Sequence, residues 1–486
     1  MNNQIPTYTP NTYGETQEQK EKRVHICTVL LLPSILYAIT YVFLLHRNYN
    51  SITMPLFVIA TICYNYYCTK KLHQVSIKKG ILYAIGMLLL GISTSITGSL
   101  PLQIFNFFGI IILLFSMLME QYCNVKKWTI GKYFISTFIT IGGICGCIED
   151  FFKDTICFSK AHKTKQSRKV GYALLGVAIA IPFLAIIIAL FYSADVVFAD
   201  IICNLFDFDL DIGNIFSSIV TFAFIFFCSY CGMRFLNKKK FTEESPDLRR
   251  FEPILANTFL VLTSIIYLLF SGIQIFYLFL GKLSLPDGYT YAAYAREGFF
   301  QLLFVSMVNI GIVLFFLGLF RENKLLKILL TIISFCTYVM ITSSALRMCM
   351  YIREYRLTFL RVFVLWFLVL LAILLAGVVI LIYKRSFPMF RYMLLVVSVC
   401  YIVFSFARPD YWIAKYNLTH TTTTAESITE YNKYLLRLST DAAPAIAQCN
   451  QPWVDEYKND VLENYDDSIR KFNFSRWYAK KVFEGN

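Results

Sequence analysis

SSALRMCMYIREYRLTFLRVFVLW, residues 343–366, sets Arg347, Arg353, Arg356 and Arg361 between two runs that otherwise read as hydrocarbon. A central Arg in a membrane helix costs about 2.5 to 3.5 kcal/mol on insertion scales. Four of them at one corner must therefore lie where a span ends, or be paired. Working outward from this corner, apolar stretches long enough to cross a bilayer, roughly 17 to 25 residues each, recur on both sides. They cover approximately 25–45, 52–68, 80–98, 102–119, 170–193, 214–236, 254–280, 298–320, 325–346, 357–383 and 388–406. These runs predict an all-α, polytopic transmembrane helix bundle of about 11 spans, followed by a small C-terminal helical domain.

The totals agree. Of 486 residues, 57% are hydrophobic and 16% charged, against about 25% charged in soluble domains. The net charge of +14 would suggest nucleic acid in a soluble protein. Here it reads as the excess of Lys and Arg in the cytoplasmic loops of a membrane protein, so no nucleic-acid partner is expected. The partner expected first is the lipid bilayer. The polar first 24 residues lack the apolar core of a cleavable signal, and the first span is expected to serve as an uncleaved insertion signal.

Residues 132–150, KYFISTFITIGGICGCIED, are weaker, because Gly142, Gly143 and Gly146 lower helix propensity. If this segment does not cross and the N-terminus is cytoplasmic, 28 Lys and Arg fall inside and 7 in the outer loops, with 10 more in the tail. If it crosses, the short-loop tally becomes 16 against 19. The first distribution obeys the positive-inside rule and the second obeys nothing. The expectation is therefore a re-entrant or interfacial element at 132–148 and a C-terminus outside. The resulting organisation is a cytoplasmic tail at 1–24, a four-span unit at 25–119, a basic cytoplasmic segment at 120–169, a seven-span core at 170–406 and an extracytoplasmic helical tail at 407–486. In that frame the four arginines lie on the outer side. Asp195, Arg296, Glu297, Arg347, Arg353 and Arg361 form a candidate outer-face polar layer, with Arg347 or Arg353 paired to Asp195 or Glu297, or snorkelling to lipid phosphates.

Catalytic patterns are sparse. His25, His46, His73, His162 and His420 are dispersed, and no metal-ligand or phosphate-loop spacing occurs. Cys228 and Cys231 form a CxxC inside an apolar run, and Cys145 and Cys147 a CxC in the Gly-rich segment; both read as packing. Cys203 and Cys449 are a candidate disulfide if the outer compartment is oxidising. No cofactor, metal or catalytic residue is expected. In the tail, Ile428, Tyr431, Leu435 and Leu438 fall at helical spacing, and Ser439 reads as an N-cap with Asp441 in the first turn and Pro444 tolerated near the start. Trp453, Tyr457, Val461 and Tyr465, then Phe474, Trp477 and Tyr478, offer further helix.

Ordered segments carry a resemblance. SADVVF at 193–198, YAREGFFQL at 294–302, SALRMCMYIREYRLTFLR at 344–361, IAKYN at 413–417, YLLRLSTDAAPAI at 434–446 and FNFSRWYA at 472–479 resemble a family of uncharacterised bacterial integral membrane proteins. This is the domain of unknown function of the 4173 type, with its 4153-type relatives. The resemblance implies a polytopic protein of the bacterial inner membrane with a C-terminal extracytoplasmic segment; it supplies no activity. Its tail segments supply the interaction candidates Asn417, Ser439, Asp441, Pro444, Asn473 and Arg476. Such proteins often have Gly before the Leu-Thr that opens the tenth span; Arg356 stands there instead, which puts a tight turn in question. The function expected is a non-enzymatic accessory, sensory or assembly component of the cell envelope, contacting an envelope protein through the tail. The alternatives are a permease for a small solute and an enzyme acting on lipid-linked substrates at the outer leaflet.

Overall fold

Every regular element in the described residues is helical. The computed structural model describes residues 16–73, 80–123, 125, 128–161, 187, 191, 212–239, 241, 249–276, 291–420, 432–466 and 468–485, with side chains left aside at 291–297 and a few other positions. The expected fifth span, 170–193, lies outside them apart from two isolated positions, and Asp195, Cys203, Ile428 and Tyr431 lie outside them too.

The helices are α1 (Gln17–Leu45), α2 (Thr53–His73), α3 (Ile81–Ile96), α4 (Leu100–Tyr122), α5 (Ile130–Gly146), α6 (Ile148–Ala161), α7 (Ile212–Lys238), α8 (Pro253–Gln274), α9 (Tyr291–Leu319), α10 (Lys324–Tyr355), α11 (Phe359–Tyr383) and α12 (Met389–Phe406). The tail adds α13 (Pro409–Thr419), α14 (Ala443–Ile446), α15 (Trp453–Glu463) and α16 (Phe474–Glu484). Among the described residues, eight helices are long and apolar enough to span a membrane: α1, α4 and α7 to α12. The chain is thus a multi-pass membrane protein. The apolar α3 has only 16 residues. α5 and α6 meet at a 50° bend, the geometry of a broken span or a re-entrant loop. The bend falls after Gly146, where the Gly-rich run weakens the helix.

The helices form two compact units. The first takes residues 1–47, 59–77 and 136–240, and the second 48–58, 78–135 and 241–486. In the second unit, the core between α8, α9, α10 and α11 is built from Leu260, Val313, Leu330, Ile333, Leu375 and Val378, all fully buried. Exposed apolar side chains such as Ile254, Phe276 and Leu360 cover the outer surfaces of its helices, as a bilayer-facing surface requires. Polar groups inside these helices bond to each other, because lipid offers them no partner. Tyr267 donates to Asn309, which donates to Thr337. Asn106 accepts from Tyr401 and Ser405 and donates to Thr94.

The two ends of the second unit differ. At one end Glu120 pairs with Arg391, Glu252 with Arg321, and Glu322 with Lys327, Arg249 and Arg385. At the other end the corners at residues 48–54, 97–99 and 356–359 meet the tail. There Arg356 follows α10 with φ 68° and ψ 179°, a region essentially reserved for Gly. The tight turn is therefore kept without the Gly. Arg361 holds it, donating from its guanidinium to the carbonyls of Tyr355 and Arg356 while lying 4.4 Å from the centre of the Tyr351 ring. A cation bonded to the last carbonyls of a helix also suits the helix dipole.

Candidate functional site

The tail end of the second unit is built from a loop that only Gly can complete. α3 stops at Ile96, Thr97 is extended, and Ser99 opens α4 with Pro101 inside its first turn. Between them Gly98 lies so close to the tail that an added Cβ would overlap the Thr440 hydroxyl. That approach lets the Gly98 N–H donate to Asp441 Oδ1 at 3.0 Å. Thr97 donates its hydroxyl to Asp441 Oδ2 at 2.5 Å, and Ser475 donates to Oδ1 at 2.5 Å. Asp441 is 3% exposed and three neutral donors hold its charge.

Asn473 forms the second clasp. Its Oδ1 caps α16 by accepting from the N–H groups of Ser475 and Arg476. Its Nδ2 lies 2.7 to 3.2 Å from three carbonyls, of Asn50, Thr97 and Thr94. Beside it Ile52 N–H donates to the Phe472 carbonyl and Asn48 to the Arg470 carbonyl. Asn417 forms the third, bracketing Leu357 by accepting from its N–H and donating to its carbonyl, both at 2.9 Å. The Phe359 N–H bonds the Tyr434 hydroxyl. Beneath these polar groups Ile413, Leu435, Ile446 and Tyr457 form an apolar cluster against Leu357, Phe359 and Val362. The expected tail periodicity is partly kept: Leu435, Leu438, Tyr457 and Val461 are buried. α16 turns Ser475, Ala479 and Phe483 inward and leaves Phe474 and Tyr478 exposed.

One detail departs from expectation. Ser439 occupies an N-cap position, yet its hydroxyl caps nothing and instead donates to Asp410 Oδ2 at 2.6 Å. A buried carboxylate is the stronger acceptor and draws the proton away from the capping role. Asp410 sits in the first turn of α13 and is 4% exposed. Burial first, with the Asp441 carboxylate adding to it, pushes its carboxyl above the usual range, while the hydroxyls of Ser439 and Ser99 and the Ser439 N–H oppose the shift. Pro444 lies in the first turn of α14, where a missing N–H costs nothing. The Arg476 side chain makes no polar contact among the described residues.

The model of a domain of unknown function, DUF4153, matches residues 84–449. The chain belongs to the DUF4153 family. Of the two related types that the sequence resembles, the 4153 type is therefore the one matched. No curated protein and no solved structure matches the chain. The DUF4153 match starts within α3 and ends just past α14. It thus contains both partners of the Thr97–Asp441 clasp and of the Leu357–Asn417 clasp, whereas Asn473 and Arg476 lie beyond it.

The arginine layer divides into separate roles. Arg347 is buried in α10; its guanidinium shares Gln274 Oε1 with the Ser343 hydroxyl, and it lies against Gly298, where an added Cβ would overlap it. Arg353 is exposed and Arg361 closes the turn. Asp195 and the side chains of Arg296 and Glu297 are outside the described residues, so the pairing expected for Arg347 lies outside them too.

The first unit holds a cluster that the sequence analysis does not single out. Asp154 is fully buried and receives Arg23 at 2.6 Å, Arg234 Nε at 2.7 Å and the Tyr230 hydroxyl at 3.3 Å. Asp150, one turn earlier, pairs with Lys238 at 2.8 Å. A local signal could have found it: two acids four apart on α6 match two bases four apart on α7, and such residues share a helix face. Cys145 and Cys147 also lie near Cys228 and Cys231. Among the described residues no group of His, Cys, Asp or Glu has the geometry to hold a metal ion by three or more such ligands.

Proposed function

We propose that the chain is a non-enzymatic component of the bacterial cell envelope, an assembly or sensory platform in the inner membrane that presents its tail to an envelope protein. The observation that carries this reading is the docking itself. Three side-chain clasps, from Asp441, Asn473 and Asn417, fasten the tail to three separate corners of one end of the second unit. A tail held this way reports the arrangement of the helices beneath it and offers a fixed surface above them. The orientation proposed, with the N-terminus cytoplasmic and the tail outside, is supported by the 28 Lys and Arg that this frame assigns to the inner side.

Two measurements test the reading. In intact cells an impermeant maleimide should label Cys449, and labelling only after lysis would reverse the orientation. Crosslinking through the tail in native membranes should recover one reproducible envelope protein from the wild type. The same crosslink should be lost in Asn473→Ala, with the membrane helices still inserted. Recovery of no common protein from the wild type would contradict the platform role.

A further inference from the structure

At the end of the second unit away from the tail, four helix ends meet. The Phe251 N–H donates to the Leu319 carbonyl at 3.3 Å and the Arg321 N–H to the Phe251 carbonyl at 3.2 Å, which stitches the entry to α8 onto the exit from α9. Asn323 caps α10 by accepting from the Leu325 N–H, and Arg385 follows the end of α11. These turns bring three bases onto one acid: Glu322 receives Lys327 at 2.8 Å, Arg249 at 3.7 Å and Arg385 through its Nε. Three cations on one carboxylate leave a charge of +2. Arg250, Lys324 and Lys384, their chain neighbours, are exposed and add to it. A separate observation shows an acceptor is wanted here: Arg385 Nη2 is shut off from solvent and donates to nothing. The dipole works the same way, since Lys324 and Lys327 stand in the first turn of α10, the end that favours an anion.

We propose that Arg249, Lys327 and Arg385 bind the phosphodiester headgroup of an anionic phospholipid. Guanidinium groups take phosphate oxygens through paired N–H donors, and Arg385 has one such donor to spare beside the Nε that holds Glu322. A lipid fits better than a small anion because hydrocarbon-facing side chains begin within one turn of the cluster. Ile254 and Leu255 open α8, Ile328 lies in α10 and Tyr383 ends α11, and all four are exposed. Basic pockets between membrane helices hold lipid headgroups by this combination of charge and apolar flank.

The test uses full-length protein in phosphatidylcholine nanodiscs carrying a trace of photo-crosslinking phospholipid with its diazirine close to the headgroup, mapped by mass spectrometry. Peptides covering 249–255, 324–331 and 383–388 should be labelled about tenfold more by a phosphatidylglycerol probe than by a phosphatidylcholine probe. Equal labelling of the wild type by the two probes overturns the site, and this comparison needs no variant. Lys327→Gln combined with Arg385→Gln should cut the phosphatidylglycerol labelling about tenfold, since each base near an anionic headgroup adds its own attraction. Labelling unchanged in that variant overturns the assignment to these residues. Inorganic phosphate at about 1 mM, too dilute to screen charge, should leave the labelling within twofold; its abolition would make free phosphate the ligand and overturn the lipid. None of these outcomes depends on which side of the membrane the cluster faces.

Discussion

Asp154 in the first unit and Asp441 in the second are both buried and are held in opposite ways. Asp154 meets two guanidinium groups and a phenol; Asp441 meets two hydroxyls and a peptide N–H. In the first junction charge decides which helices associate, and α1, α6 and α7 are joined because their bases and phenol are what satisfies Asp154. In the second, shape decides, because the Gly98 backbone can donate only if nothing stands between it and the tail. An ionic junction is sensitive to loss of a charge, and a neutral one to loss of fit. That difference can be broken on purpose.

The largest effect is expected at the ionic junction. Asp154→Ala leaves the buried Arg234 without its carboxylate and Arg23 with Asp150 alone of the two, and should destabilise the first unit by about 3 to 5 kcal/mol, read as a lowered unfolding midpoint in detergent. Asn473→Ala comes next. It removes a helix cap and the donor shared by three carbonyls, two of them in buried contacts, and should weaken tail docking by about 2 to 3 kcal/mol. Hydrogen exchange should show the loss in residues 440–484 and leave α8 to α11 unchanged.

A smaller effect of opposite sign is expected at Arg356→Gly. Relief of the left-handed turn should stabilise by about 1 kcal/mol, less whatever side-chain packing the arginine contributes. The mildest is a pH dependence. Because the folded protein raises the Asp410 carboxyl above its ordinary value, the folded state binds the proton more tightly than the unfolded chain. Tail docking should therefore strengthen as pH falls through the raised value and level off below the ordinary one. Asp441, Tyr434 and Tyr457 are the titratable groups facing Asp410. Asp410→Asn should flatten the profile.

The helices are plain in the sequence, because each span needs its own run of apolar residues and leaves a local record of it. Asp441, Asn473 and Asn417 are visible there as tail positions, but their partners are not. The Thr97–Asp441 bond joins residues 344 apart, and the groups that Asn473 bonds are backbone, which has no identity in a sequence. The Asp154 cluster is legible in principle, since the i,i+4 pairs on α6 and α7 are local patterns; a tally of charge by side counts its acids and bases without pairing them. Arg356 misleads for a different reason. Arginine is not expected at positive φ, and the Arg361 guanidinium on the preceding carbonyls explains how the turn is held.

Clasping of the tail onto the α3–α4 corner is tested most directly by a thiol placed at the closest approach. Cysteine introduced as Thr440→Cys, with Cys449 replaced by serine, lies against the Gly98 backbone and should resist maleimide in native membranes, read by mass spectrometry of the peptide that carries it. The protection should be lost when Asn473→Ala is added. An introduced thiol at position 440 that stays free and reacts fully with maleimide in an otherwise folded protein would contradict the account.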